Sequence, residues 1–249
     1  MTPENKKFFY SDGSFVSFRQ IKGESPAVFY LHGTQSSIDS TKAVFVQNYC
    51  QSKGIAFTSL NFRGHGDSSG QYTDGNISMW LDDALSIFDN ETKGPQIVVG
   101  SSMGGWIMLL LAIQRPERVK GLLGLAAAPD FTERLWNLLP TDMKEKAEKE
   151  GLIRLPSEYT KEGEPFTMNL IQDGNNHLLL KNPISVKAKT ILMQGDNDIC
   201  VPFETAEEIK TQIGGNNVRV EKIAGGKHNL STPEQLQMIA EFIDELRAD

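Results

Sequence analysis

The sequence predicts an α/β fold in which helices cover both faces of a mostly parallel sheet. Three observations lead to this prediction: the chain has 249 residues, 39% of them are apolar, and β-branched runs alternate with helix-like stretches. Strands that are apolar along their whole length are typical of parallel sheets that are buried on both faces. Because chains of this length often form one unit, we expect a single domain over residues 1–249.

The predicted elements follow one another in a regular order. The stretch "FFYSDGSFVSFR" predicts an N-terminal hairpin that turns at Asp12 and Gly13. Six further strands are predicted, at 27–32, 55–62, 96–100, 119–127, 189–195 and 218–223. Helices are predicted at 41–53, 79–88, 104–115, 203–213 and 233–247.

The segment at about 130–187 interrupts this order. It has no clean strand pattern and is too long for an ordinary connection, so we expect a cap inserted between two core strands. Its apolar residues include Leu135, Trp136, Leu138, Leu139, Phe166 and Met168. Positions 135, 138 and 139 share one face of a helix, and the sequence leaves open whether that face packs on the core or roofs a site.

The stretch "IVVGSSMGGW" places a glycine-rich turn between a predicted strand and a predicted helix. A phosphate-binding loop requires Lys and then Ser or Thr where Trp106 and Ile107 stand. A dinucleotide-binding turn requires glycine where Ser102 stands. The pattern G-x-S-x-G fits with Ser102 at its centre, between Gly100 and Gly104, and it is typical of a serine nucleophile on a sharp turn.

A serine nucleophile needs a histidine base and a carboxylate that orients the histidine. His228 follows the last predicted strand, which agrees with the chain order serine, acid, histidine known for G-x-S-x-G enzymes. The acid should follow an earlier strand, and Asp198 in "MQGDNDICVP" is favoured. Asp196 in the same loop and Asp130 after the preceding strand remain alternatives.

The oxyanion of an acyl-transfer reaction needs backbone N–H donors. The residue after the nucleophile, Met103, is expected to supply one donor, and Thr34, in the loop after the "VFYLHGT" strand, to supply the other. Both roles belong to the backbone, so we predict Thr34 and Met103 as substrate-binding positions without regard to their side chains.

Composition and charge exclude several other classes. The formal net charge of −7 argues against nucleic acid or an anionic membrane as a partner, since both require a basic face. No stretch is long and apolar enough to span a bilayer, and the N-terminus lacks a secretory leader. The only cysteines, Cys50 and Cys200, are expected to be reduced and buried. Together these features predict a cytoplasmic protein.

Several stretches resemble the α/β-hydrolase superfamily, and within it the branch of mitochondrial palmitoyl-protein thioesterases and acyl-glucuronide esterases. They are "GPQIVVGSSMGGWIMLLLAIQRPERVKGLLGLAAAPD", "STKAVFVQNYCQSKG", "RLPSEY" and "DICVP". The resemblance implies an α/β-hydrolase fold, with Ser102 as nucleophile, Asp198 as acid and His228 as base. The stretch His32-Gly33-Thr34 departs from the branch and is more similar to general bacterial hydrolases.

The sequence therefore predicts a serine hydrolase that cleaves carboxylic esters or thioesters through an acyl-enzyme on Ser102. Its expected substrates are small-molecule esters, acylated proteins or other thioesters. No motif for a metal or an organic cofactor is present, so none is expected. Two alternatives are an acyltransferase or C–C bond hydrolase with the same three residues, and a non-catalytic ligand-binding protein of the same fold.

Overall fold

The computed structural model describes residues 3–156 and 163–248, and an eight-stranded sheet forms its centre. The strands of this sheet are β1 Lys6–Phe9, β2 Phe15–Ile21, β3 Glu24–Leu31, β4 Ile55–Asn61, β5 Gln96–Ser101, β6 Val119–Leu125, β9 Lys189–Gly195 and β10 Val218–Ile223. Two further strands, β7 Leu152–Leu155 and β8 Glu164–Thr167, form a separate antiparallel pair.

The sheet has the order β1-β2-β4-β3-β5-β6-β9-β10. Strands β4, β3, β5, β6, β9 and β10 run parallel, whereas β1 and β2 pair antiparallel at one edge. Because these six strands are parallel, the loops that follow them all emerge at the carboxyl ends of the strands, which is where ligands bind in such folds.

Eight helices are described. They are α1 Thr41–Lys53, α2 Ile77–Glu91, α3 Met103–Gln114, α4 Phe131–Leu138, α5 Thr141–Glu150, α6 Met168–Gly174, α7 Phe203–Ile213 and α8 Pro233–Ala248. The buried residues of α1 and α8 belong to one apolar cluster, and those of α2 and α3 belong to another. Alternate residues of β3 divide between the two clusters, with Val28 and Tyr30 in the first and Phe29 and Leu31 in the second. Helices therefore cover both faces of the sheet, as predicted.

The segment after β6 differs from the prediction in one respect. It contains the strand pair β7–β8, although no strand was predicted between residues 130 and 187. Each of these strands has four residues and only Ile153, Phe166 and Thr167 are buried, so the pair lacks the long apolar alternation by which strands are recognised in a sequence. Part of the "RLPSEY" stretch and the rest of 157–162 lie outside the described residues.

Trp106 of α3 joins the core to the segment after β6. Its side chain is fully buried, its indole Nε1 donates a hydrogen bond of 3.0 Å to the His177 carbonyl, and its ring contacts Phe131 edge-on at 5.7 Å between centroids. One side chain therefore holds both the beginning and the end of this segment against α3.

We expect Trp106→Phe to lower the free energy of unfolding by about 1–3 kcal/mol, because it leaves a carbonyl without its donor and removes buried ring area. Trp136→Phe is the matched control, since Trp136 is only partly buried. Urea denaturation measures both. A Trp106→Phe protein as stable as the wild type would contradict this anchoring role.

Candidate active site

Ser102 lies at the junction of β5 and α3 with a strained backbone. Its φ of 54° and ψ of −120° are rarely adopted by residues other than glycine. Its N–H donates to the Leu125 carbonyl at 3.0 Å, and its own carbonyl accepts from Gly105 at 2.8 Å and Ala128 at 3.0 Å. These bonds to the end of β6 and to the first turn of α3 hold the serine in this conformation.

The glycines around Ser102 are required by close backbone packing. A Cβ added to Gly100 would lie 2.4 Å from the Gly104 carbonyl oxygen. A Cβ added to Gly104 would lie 2.3 Å from the Leu31 carbonyl oxygen at the end of β3. No side chain can be accommodated at either position unless the backbone shifts, so the G-x-S-x-G pattern follows directly from the geometry of the turn.

Asp198, His228 and Ser102 form a continuous hydrogen-bond chain. The distance from His228 Nδ1 to Asp198 Oδ2 is 2.8 Å, and the distance from His228 Nε2 to Ser102 Oγ is 3.0 Å. A carboxylate only accepts hydrogen bonds, so the imidazole hydrogen lies on Nδ1. Nε2 then carries a lone pair, which accepts the hydrogen bond from the Ser102 hydroxyl.

The Asp198 carboxylate is held as an anion by its surroundings. Oδ1 accepts backbone N–H bonds from Cys200 at 2.8 Å and Val201 at 2.9 Å, and Oδ2 also accepts from Gln194 Nε2 at 3.0 Å. Burial raises the pKa of Asp198, but the His228 interaction and the two backbone donors outweigh it and lower the pKa below its ordinary value. The carboxylate is therefore ionised and fixed in position beside His228.

The other two candidate acids make different contacts. Asp196 accepts a hydrogen bond from the Gly225 N–H at 2.7 Å, so it braces the loop after β10. The Asp130 carboxylate accepts from the backbone N–H groups of Leu179 at 2.9 Å and Leu180 at 2.8 Å. These bonds tie the start of the predicted cap to its end, whereas the carboxylate that His228 contacts is that of Asp198.

The remaining histidines have structural contacts. His32 is buried between the Gly33 carbonyl, 2.7 Å from Nδ1, and the Phe62 N–H, 3.3 Å from Nε2. Burial and the neighbouring His65 lower the pKa of His32 to about 3, and burial lowers that of His65 to about 4, so both rings are neutral at pH 7. His177 is partly buried, and its Nε2 lies 2.7 Å from Ser78 Oγ.

The loop after β3 approaches Ser102 closely. A Cβ on Gly33 would lie 3.0 Å from Ser102 Cβ, and Thr34 lines the same cavity as Ser102. Within residues 3–156 and 163–248, the backbone N–H groups of Thr34 and Met103 have no hydrogen-bond acceptor. The Met103 side chain is fully buried, so only its backbone is available to a ligand.

A cavity of about 910 Å³ opens over Ser102 and His228, and its two sides differ in polarity. Its apolar side comes largely from the segment after β6 and from the loop after β9. The apolar lining residues are Ala128, Phe131, Leu135, Leu138, Leu155, Pro156, Pro165, Phe166, Ile199 and Val201. The same elements also contribute two charged lining residues, Arg134 and Glu164. Its polar side comes from the loop after β3, the start of α1 and the loop after β10. The residues of this side are Thr34, Gln35, Ser36, Ser40, Thr41, Lys42, Asn229 and Ser231.

The apolar stripe predicted on α4 divides between the cavity and the core. Leu135 and Leu138 line the cavity, and Leu138 is 72% exposed. Leu139 and Trp136 instead pack against the core cluster that contains α3, as does Met168. Part of the stripe therefore lines the cavity and part of it packs on the core. The helix ends at Leu138, so Leu139 does not continue the same helical face.

One group of described residues has donor atoms of the kind that bind metals. These atoms of Asp198, Cys200 and His228 lie within 4.8 Å of one another. Two of these three residues, Asp198 and His228, are hydrogen-bonded to each other, and His228 also contacts Ser102. Cys200 is exposed, contrary to expectation, because it lies in the loop after β9 and not in the core.

Two functional neighbours were not singled out from the sequence. Gln194 donates to Asp198 and to the Val201 carbonyl, both at 3.0 Å, and so closes the loop that carries the acid. Lys42 donates to the carbonyl of Asn229, the residue after His228. For Gln194, the sequence offered one indication of its role: it stands near the end of a strand, just before the loop that carries the acid. The Lys42 contact joins positions 187 residues apart, and no local pattern indicates it.

Comparison with known proteins places this architecture in a family. Residues 24–156 match the model of the family described as serine aminopeptidase, S33. The palmitoyl-protein thioesterase ABHD10 of Homo sapiens, named as mitochondrial, is 34% identical over 232 residues, which are 93% of this chain and 76% of the relative. The chain belongs to the α/β-hydrolases. The predictions of an α/β-hydrolase fold and of a serine hydrolase of the ester and thioester class are confirmed.

Solved structures of α/β-hydrolases agree with this assignment. The α/β-hydrolase domain-containing protein 10 from mouse has a TM-score of 0.92 and 33% identity, with 98% of each chain covered. A putative hydrolase from Agrobacterium vitis has a TM-score of 0.94 and 29% identity, covering 99% of this chain and 100% of that one. The likeness therefore extends over the segment after β6 as well as over the sheet.

The predicted cytoplasmic location is wrong. The Bos taurus relative, 33% identical over 93% of this chain, is named mitochondrial, as is the human one. The prediction relied on the absence of a leader pattern and on the presence of only two cysteines, and neither observation identifies a compartment. Within residues 3–156 and 163–248, no helix of this hydrolase combines the length and apolar character that crossing a membrane requires.

We expect Gly104→Ala to lower the free energy of unfolding by about 1–3 kcal/mol and to reduce turnover of a p-nitrophenyl ester, because the added methyl group collides with the backbone of β3. Gly54→Ala is the control, since a Cβ there meets no atom within 4 Å. It should affect stability through its φ of 69° but leave turnover unchanged. Wild-type stability and turnover in Gly104→Ala would contradict the crowded geometry of this turn.

Proposed function

We propose that Ser102, His228 and Asp198 are the catalytic triad with which this α/β-hydrolase cleaves carboxylic esters and thioesters. The observation that carries the proposal is the hydrogen-bond chain from Asp198 through His228 to Ser102, with distances of 2.8 and 3.0 Å. It lies at the floor of a cavity large enough for an acyl group. The human and bovine relatives named palmitoyl-protein thioesterase support the same class of reaction.

In the first half of the reaction, Ser102 Oγ attacks the acyl carbonyl carbon while its proton passes to His228 Nε2. Asp198 keeps the imidazole in the tautomer with hydrogen on Nδ1 and stabilises the imidazolium that forms. The tetrahedral intermediate then collapses, the bond to the leaving oxygen or sulfur breaks, and His228 Nε2 returns the proton to that atom. The alcohol or thiol departs and the acyl group remains on Ser102.

In the second half, water takes the place of the leaving group. His228 Nε2 accepts a proton from the water, whose oxygen attacks the acyl-enzyme, and then returns the proton to Ser102 Oγ as the carboxylic acid is released. In both halves, the backbone N–H groups of Met103 and Thr34 donate to the oxyanion. Their lack of an acceptor among the described residues supports this role.

The apolar side of the cavity is proposed to hold the acyl chain. Leu135, Leu138 and Phe166 lie on this side, and their elements belong to the segment 130–187, which acts as a cap on a single hydrolase domain of residues 1–249. A fatty acyl thioester of a protein or small molecule is the substrate class that fits such a surface. The names of the thioesterase relatives point in the same direction.

Asp198→Asn should lower kcat by about 10⁴-fold, since an asparagine cannot fix the catalytic tautomer of the imidazole. Asp196→Asn and Asp130→Asn are matched controls, because each makes the same change in a carboxylate that contacts backbone N–H groups elsewhere. Steady-state hydrolysis of one p-nitrophenyl ester compares the three variants. An active Asp198→Asn protein beside an inactive Asp196→Asn or Asp130→Asn protein would assign the acid to a different residue.

Specificity for acyl length should follow the apolar side of the cavity. Each buried CH₂ contributes about 0.8 kcal/mol, so kcat/KM should rise about fourfold per CH₂ until the space is filled and then stop rising. Phe166→Ala should shift this limit to longer chains. Trp136→Ala, which removes a cap residue outside the cavity, should leave it in place. A series of acyl p-nitrophenyl esters measures the limit, and a profile independent of chain length in all three proteins would contradict an acyl pocket here.

A further inference from the structure

The polar side of the cavity contains a cation whose role the triad mechanism does not explain. Lys42 is the second residue of α1, it is half-buried, and it lines the cavity. Its ammonium donates to the Asn229 carbonyl, a neutral acceptor. Within residues 3–156 and 163–248, no carboxylate lies within 4.0 Å of it. Burial lowers the pKa of Lys42 to about 8, so it is still largely protonated at pH 7.

A partly buried ammonium without a counter-ion is unfavourable, because burial removes part of its hydration and no opposite charge replaces it. The groups around Lys42 also favour an anion. Ser40, at the N-cap of α1, makes no side-chain capping hydrogen bond, so the first N–H groups of the helix keep their donor capacity. Thr34, Ser36 and Thr41, which carry hydroxyl groups, line the same cavity as Lys42.

The position of Lys42 relative to His228 identifies which part of the substrate it meets. His228 Nε2 returns its proton to the leaving atom, so the leaving group must lie on the histidine side of the acyl carbon. Lys42 is bonded to Asn229, the residue that follows His228. The acyl chain is proposed to lie along the cap residues of the cavity, such as Leu135 and Phe166. The contact with Asn229 thus puts the ammonium beside the histidine loop, on the side of the cavity from which the alcohol or thiol departs.

Resting on the proposed function, we propose that Lys42 is a specificity-determining residue that binds an anionic group, a carboxylate or a phosphate, on the leaving group of the substrate. The preferred substrates are thus esters and thioesters whose alcohol or thiol carries a negative charge near the scissile bond. The second cation of the cavity, Arg134, donates to the Cys200 carbonyl on the acid loop and lies on the side of the acyl chain.

The test uses three octanoyl thioesters that share one acyl chain. Their thiols are 3-mercaptopropionate, the neutral isostere 3-mercaptopropionamide, and 2-mercaptoethyl phosphate. The measured quantity is the ratio of kcat/KM for each anionic thioester to kcat/KM for the neutral one. Because the ratio is internal to each protein, a general loosening of the His228 loop lowers both values and cancels.

For the wild type we expect a ratio of about ten for at least one anionic thioester, as charge-assisted hydrogen bonds are roughly twice as strong as neutral ones. Lys42→Met should bring the ratio close to one, and Lys42→Arg should retain most of it. Lys227→Met is the matched control, since it removes an exposed positive charge beside His228 that does not line the cavity. It should leave the ratio unchanged.

The carboxylate and phosphate substrates distinguish the two sources of negative charge, and a preference for either supports the proposal. A wild-type ratio of one or less would overturn it. So would a ratio that Lys42→Met leaves unchanged, or one that Lys227→Met or Arg134→Met lowers as much. Failure of the proposed function itself gives a different result, since the wild type would then hydrolyse none of the three thioesters, including the neutral one.

Discussion

The strained turn at Ser102 is the constraint on which the site depends. With φ at 54°, the serine side chain is turned out of the strand direction at the end of β5 and towards the loops that follow the neighbouring strands. The strained conformation is held by backbone hydrogen bonds to Leu125, the last residue of β6, and to Ala128 in the loop that follows it. The residues of α3 that follow the proposed nucleophile, Met103 to Ala112, are all buried, so the turn is anchored in the core.

The other members of the site reach Ser102 through loops at the same edge of the sheet. The acid loop after β9 and the histidine loop after β10 approach so closely that a Cβ on Gly195 would lie 2.1 Å from the Gly226 carbonyl oxygen. This contact couples the positions of Asp198 and His228. Lys42 adds a third connection, from α1 to the histidine loop. The proposed positioning of the catalytic histidine and the proposed recognition of the leaving group therefore both depend on the loop after β10.

The sequence predicted what local patterns encode and missed what distant packing decides. The alternation of apolar strands and helices, and the glycine spacing around Ser102, are local and were sufficient for the fold and for the choice of candidate residues. The short pair β7–β8 and the division of α4 between core and cavity depend on contacts that form only in the folded chain. The contact of Lys42 with Asn229 depends on where two distant loops meet, so its place beside the site was not predictable.

The most direct measurement of the central claim is the location of the covalent adduct formed with a fluorophosphonate. The glycine register and the 3.0 Å distance to His228 Nε2 assign the reactive hydroxyl to Ser102, although Ser101 is its immediate neighbour. Mass spectrometry of the labelled, digested protein should find the adduct on Ser102, and Ser102→Ala should remain unlabelled while Ser101→Ala is labelled. An adduct on Ser101, or labelling that persists in Ser102→Ala, would contradict the assignment.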